Sequence, residues 1–411
     1  MTDSPKKLWT RDFTIITLGT VVSMLGNCIS GFAISLLVLD YTGSTLLYAV
    51  FMAAYNLPKV IMPLIAGPYL DSYSRKKTIY TLDFVSAALY TGMYFLLSNG
   101  IFSYVPFLCL CVLIGSIDST YEVAYESFYP TLVPEGQFTK AYAISSLIYP
   151  FTAMAVPIAS YVYNRIGLAP LFAFNAATFL IAAIFETRIG AAESQMTDSP
   201  EKASIAYLKT EFREGLDYLR GEKGLLVITA YFFFTMMLGS ATDTLMLPFF
   251  KDTGASGVQL YTWVMAANVF GRVVGGVFHY GYTYKPGSKF AVALGVYITI
   301  TALQGALPFT PSVCMLIMSF VIGCLAVNSY NIRIAATQSY VPNDYRARFN
   351  GVFLVITTVG TIIGELGAGA FGELFAPRFV MLGAQALNMI AIFAIVWRGR
   401  EAMKGVYNRI V

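Results

Sequence analysis

Long apolar runs recur along the whole chain and leave few folds open. Twelve stand out: 13–38, 45–66, 78–98, 102–128, 141–163, 168–187, 225–249, 258–279, 289–307, 311–334, 350–372 and 377–397. Each is close to the ~20 residues that an α-helix needs to cross the hydrocarbon core of a bilayer. In lipid every backbone N–H and C=O must be satisfied internally, which restricts spanning segments to helices or a closed barrel. Runs this long and this continuous read as helices. Composition agrees: 57% of residues are hydrophobic, only 12% are charged, and mean hydropathy is +0.64, against about 25% charged in a soluble domain. The expected fold is an all-α polytopic membrane protein with twelve transmembrane helices. The polar start MTDSPKKLWTRDF is short, and the first run shows no cleavage-like end. It reads as a retained span, not a signal peptide.

Loop charge orients the spans. With a cytoplasmic N-terminus, one side collects most of the Lys and Arg, including Lys6, Lys7, Arg75, Lys76, Lys77, Arg213, Arg346 and Arg348. The other side holds only Arg165, Lys251 and Arg378. Both termini are therefore expected inside, in a multi-pass protein of the cell membrane. One long polar segment divides the spans six and six. The expected domains are a bundle at 1–187, a linker at 188–224, a bundle at 225–397 and a tail at 398–411. In the linker, Ile205, Leu208, Phe212, Leu216 and Leu219 recur at helical steps, so an amphipathic helix on the membrane surface is expected. The two halves echo each other. Val133 and Val341, Gly67 and Gly275, and Gly31 and Gly239 share one offset of 208. A rival offset of 213 aligns Lys59 with Arg272. A duplicated six-helix unit implies two pseudo-symmetric bundles with the working site near the midplane.

Charges inside the apolar runs are the candidate working residues, because an unpaired charge there is expensive. Asp118, Glu122 and Glu126 are each four residues apart, which puts three carboxylates on one helix face beside a stripe of Tyr121, Tyr125 and Tyr129. Lys59 lies at similar depth and is expected to pair with Asp118 or Glu122. That pairing is either a static brace or part of a site for a proton or a cationic substrate. Asp243, Arg272, Arg333 and Glu365 are further intramembrane charges. Gly360, Gly364, Ala368 and Gly372, and also Gly271 and Gly275, form small-residue ridges suited to close helix packing. The five Cys all lie in apolar runs and read as buried thiols. One His and no Gly-Lys-Ser or Gly-Lys-Thr phosphate loop leave no His-based metal site, no His-based triad and no ATP drive. No cofactor, no metal, no enzymatic activity and no nucleic-acid partner are expected.

The segment Gly67-Pro-Tyr-Leu-Asp71-Ser-Tyr-Ser-Arg75-Lys76-Lys77 resembles the signature of the major facilitator superfamily. Gly67, Asp71, Arg75 and Lys76 match it, while Ser72 and Ser74 depart from it. Leu132-Val-Pro134, Val341-Pro342 followed by Arg346 and Arg348, and Glu214-Gly215-Leu-Asp-Tyr-Leu219 resemble the branch of macrolide and siderophore exporters. The resemblance implies a monomeric secondary transporter that works by alternating access. Its partners would be a small-molecule substrate, a proton and the bilayer. It also implies a gating latch of Gly67, Asp71, Arg75, Lys76 and Glu126, with Asp71 near the start of the eleventh helix and Arg75 pairing Glu126. Asn27 stands where parts of this branch carry a carboxylate. The expected cavity and coupling set is Asn27, Lys59, Asp118, Glu122, Asp243, Arg272 and Arg333. The expected function is proton-coupled efflux of an amphipathic small molecule. The alternatives are a nutrient or metabolite importer, a lipid scramblase or a membrane-embedded enzyme.

Overall fold

A computed structural model describes residues 8–134, 137–191, 205–254, 256–281 and 284–408. The regular structure among these residues is helical, with no strand. The helices are α1 (Arg11–Thr42), α2 (Thr45–Asn56), α3 (Pro58–Ser72), α4 (Arg75–Ser98), α5 (Tyr104–Phe128), α6 (Phe138–Ala153), α7 (Val156–Ile166) and α8 (Ala169–Glu186). They continue as α9 (Ile205–Gly221), α10 (Lys223–Asp252), α11 (Gly257–Gly281), α12 (Lys289–Ala306), α13 (Ser312–Tyr340), α14 (Asn343–Leu374), α15 (Pro377–Ala391) and α16 (Arg400–Tyr407).

Among the described residues, nine helical stretches are long and apolar enough to cross a membrane. The runs at 78–98, 141–163 and 258–279 are not among them. The middle one is broken into α6 and α7, 16 and 11 residues long, between Pro150 and Pro157. Proline removes a backbone donor and interrupts the helical ladder there. The other two have the length, as α4 and α11 with 24 and 25 residues, but Asp83 dilutes one and Gln259, Asn268 and Arg272 the other. The run at 45–66 is likewise split, with α3 restarting at Pro58.

The residues divide into two compact units: Met1–Gly43 with Ala54–Ser204, and Ser44–Ala53 with Ile205–Val411. The same five helix pairings occur in each. In the first unit α1 packs on α6 and α8, α4 on α5 and α8, and α3 on α5. In the second, α10 packs on α14 and α15, α12 on α13 and α15, and α11 on α13. The start of α2 belongs to the second unit, where Glu373 caps it: its Oε1 accepts from Ser44 Oγ at 2.6 Å and from the Leu46 N–H at 2.9 Å. A carboxylate at a helix start satisfies N–H groups that have no partner within the helix.

The small-residue ridges lie at helix crossings. A Cβ on Gly360 would come within 2.7 Å of the Phe233 carbonyl, and one on Gly364 would strike that of Met237. Gly271 and Gly275 meet the carbonyls of Phe320 and Cys324 in the same way. The linker helix α9 is docked on α14. Arg348 forks onto both oxygens of Glu211 at 2.7 and 2.8 Å and reaches Glu214 at 3.1 Å. Leu219 is buried in the core formed by Leu225, Phe349 and Val352.

Candidate functional site

In the first unit the acidic face of α5 meets α2 and α3. The Tyr55 hydroxyl donates to Asp118 Oδ2 at 2.8 Å, and the Lys59 ammonium sits 4.7 Å over the Tyr55 ring. Lys59 therefore reaches Asp118 electrostatically with Tyr55 between them. A Cβ on Gly115 would strike the Tyr55 carbonyl, so this glycine sets how closely α5 approaches. Asp118 is half-buried, whereas Glu122 and Glu126 are exposed. Each carboxylate lies in the field of the next, Asp118 with Glu122 and Glu122 with Glu126, as their spacing requires. The tyrosine stripe beside them is stacked, with ring centroids 6.2 Å apart for Tyr121 and Tyr125 and 5.0 Å for Tyr125 and Tyr129.

A second acidic site lies deeper, where α4 packs on α8. Asp83 is 1% exposed and Glu186 is 0% exposed. Their carboxyls lie within electrostatic reach of each other, and the Tyr121 hydroxyl lies 3.4 Å from Glu186 Oε1. Further along the same helices, the Asn175 amide donates to Ser30 Oγ at 2.7 Å and Ser30 Oγ lies 3.4 Å from the Tyr90 hydroxyl. Asn27 is half-buried one turn before Ser30, and its carbonyl accepts from the Ser30 hydroxyl at 3.3 Å.

The second unit places its charges differently. Arg272 donates from Nε to Asn268 Oδ1 at 3.0 Å and lies within electrostatic reach of Asp243. Arg333 is held by aromatic faces, with its guanidinium 4.6 Å from the Phe353 ring, 5.1 Å from Phe232 and 5.4 Å from Tyr330. Such stacking suits a weakly hydrated, planar cation. Glu365 is buried on α14.

The signature segment ends α3 and begins α4. The surroundings of Gly67 and the side chain of Asp71 lie outside what the structure describes. Lys76 Nζ donates to the Ile189 carbonyl at 3.2 Å, and the Gly190 N–H donates to Asp12 Oδ1 at 2.9 Å. The chain leaving α8 is thereby tied to the starts of α1 and α4. Arg75 Nη1 reaches the Ser127 carbonyl at 3.5 Å, one residue beyond Glu126. A family model described as Major Facilitator Superfamily matches residues 16–365.

The chain belongs to the Major Facilitator Superfamily.

It is a multi-pass membrane transporter of that superfamily. Macrolide efflux protein A of Streptococcus pyogenes is 22% identical over 404 residues, covering 93% of this chain and 95% of its own. The arabinose-proton symporter of Escherichia coli (strain K12) is 26% identical over 152 residues, 36% of this chain and 32% of its own. Among solved structures, a mutant of the peptide transporter POT in complex with alafosfalin superposes with a TM-score of 0.73 at 12% identity, covering 98% of both chains. Within this superfamily fold, Lys59 and Asp118 share one site, and Asp243 and Arg272 share another. Arg333 stands apart among aromatic rings. Asp83 and Glu186 are functional candidates that the structure adds. Both are carboxylates inside apolar runs, and that alone was the signal, since an ionisable group at such depth marks a working position by default.

Proposed function

We propose that this superfamily member exports an amphipathic small molecule across the cell membrane in exchange for protons. It does so as a monomer with both termini cytoplasmic. The observation that carries the export reading is the similarity to macrolide efflux protein A along nearly the whole chain. Gly67, Asp71, Arg75, Lys76 and Glu126 serve as the gate. Asn27, Lys59, Asp118, Glu122, Asp243, Arg272 and Arg333 line the path of substrate and proton. Opposite charges held at similar depth, such as Lys59 with Asp118, support that assignment. Intramembrane charges persist where they meet a partner, water or a transported ion. A second reading, proton-driven import, draws on the shorter match to the arabinose-proton symporter.

The two readings differ in the gradient they use. Purified protein reconstituted into liposomes is given radiolabelled erythromycin and a pH gradient of either polarity. Exchange predicts accumulation when the interior is acidic, because protons leave as the macrolide enters. Accumulation only with an alkaline interior would establish co-transport instead. No accumulation above protein-free liposomes with either polarity would remove macrolides as the substrate class.

A further inference from the structure

The first unit buries two carboxyls that the gate and the Lys59–Asp118 site leave unexplained. Asp83 on α4 and Glu186, the last residue of α8, are 1% and 0% exposed. The two lie within electrostatic reach of each other. Two ionised carboxylates so placed only accept and repel, whereas a proton on one makes that one a donor and the other its acceptor.

A separate observation points the same way. Neither oxygen of Asp83, nor Oε2 of Glu186, meets a donor among the described residues. A buried carboxylate normally accepts from a cation, a hydroxyl or a backbone N–H. The groups that act on this pair are not cationic. From α5 they are Tyr121, Tyr125 and Asp118. From α1 the neighbours are Thr20, beside Tyr121, and Gly19. The charged side chains at the helix ends have their own work: Lys76 binds the Ile189 carbonyl and Asp12 the Gly190 N–H. Gly19 shows how closely the site is built, because a Cβ there would lie 2.8 Å from Glu186 Oε1.

We propose that the Asp83–Glu186 pair is a proton-binding site, and that loading and unloading it is the coupling step of transport. The second half rests on the proton-coupled reading above; the first does not. In the loaded state one O–H bond on one carboxyl donates to the other, and the pair carries one negative charge. Release breaks that O–H bond, sends the proton to water and leaves two facing carboxylates. Their repulsion in a buried setting is what would drive the pair apart and link proton occupancy to helix position.

Infrared difference spectra of the full chain in lipid nanodiscs, taken between acidic and alkaline buffer, read the protonated-carboxyl C=O stretch directly. Wild type is expected to show a band that shifts in heavy water and is lost in both Asp83→Asn and Glu186→Gln. Each variant keeps the shape of the site, so either one carries the test if the other fails to fold. A band that survives in the variants overturns the site. Loss of the wild-type band on adding sodium at fixed pH overturns the proton in favour of a metal cation. The same preparations, reconstituted with radiolabelled erythromycin, give the ratio of flux with and without a pH gradient. That ratio is expected to exceed one in wild type and to fall to one in the variants. A ratio unchanged in variants that have lost the band, or a wild-type ratio of one, overturns the coupling step and leaves the site standing.

Discussion

In the first unit the space between α4 and α8 holds two carboxyls; in the second, the corresponding stretch of α12 holds a phenol. Asp83 and Tyr297 sit at the same register, counted from Arg75 at the start of α4 and Lys289 at the start of α12. Asp83 meets Glu186. Tyr297 meets Tyr407 on α16, hydroxyl to hydroxyl at 2.9 Å. The helix pairings around the two places are the same, and so is part of the polar core. Asn175 on α8 bonds Ser30 on α1, and Asn388 on α15 bonds Thr235 on α10 and Thr301 on α12, each at 3.2 Å. Neutral hydrogen bonds thus hold both bundles together, while only the first has acidic groups at this register. The scaffold is repeated and the chemistry is not.

The sharpest way to break this comparison is to move the acid. Tyr297→Asp empties the space of the ring and sets a buried carboxyl against Tyr407, with Arg333 in electrostatic reach but no second carboxyl to share a proton, and is expected to cost about 3 kcal/mol or more. Thermal unfolding followed by size-exclusion chromatography measures it, and an unchanged melting temperature would show that the second core tolerates acid as well as the first. Next in size is Asp83→Ala, which opens a void and strips Glu186 of its partner, for about 2 kcal/mol. Asp83→Asn keeps the shape and supplies its own N–H donor, so its stability is expected to stay within about 1 kcal/mol of wild type. Equal losses in the two variants would mean that the proton is not what holds the pair. Gly19→Ala forces Glu186 aside and is expected to cost about 1–2 kcal/mol. Gly31→Ala on the same helix meets open space and should be neutral or slightly stabilising, since alanine is the better helix former. The smallest effect belongs to Tyr407→Phe, which removes one neutral hydrogen bond, about 0.5–1 kcal/mol.

Much of this was legible in the sequence because lipid imposes strict rules. Length and apolarity located the nine stretches that are long and apolar enough to span, and Gly360, Gly364, Gly271 and Gly275 announced helix crossings because only a missing Cβ allows a backbone so close. The spacing of Asp118, Glu122 and Glu126 was enough to place them on one face, and matched depth put Lys59 within reach of Asp118. Tyr55 was not foreseeable as the group between Lys59 and Asp118, because spacing along one helix says nothing about which ring a second helix inserts. The Asp83–Glu186 contact was hidden for the same reason. Each residue is a single acid in its own run, and only the packing of α4 on α8 makes them a pair. The docking of α9 was half visible: its apolar stripe was read, but the hold of Arg348 on Glu211 and Glu214 joins residues more than a hundred positions apart.

Proton movement itself is the most direct test of the claim that the first unit carries the titrating group. Liposomes containing a trapped pH dye and reconstituted protein are given an outward erythromycin gradient in weak buffer. Wild type is expected to change the internal pH as the macrolide leaves, and Glu186→Gln is expected to leave it unchanged. The contrary result is proton movement that persists in Glu186→Gln and disappears in Asp243→Asn, which would place the coupling acid in the second unit.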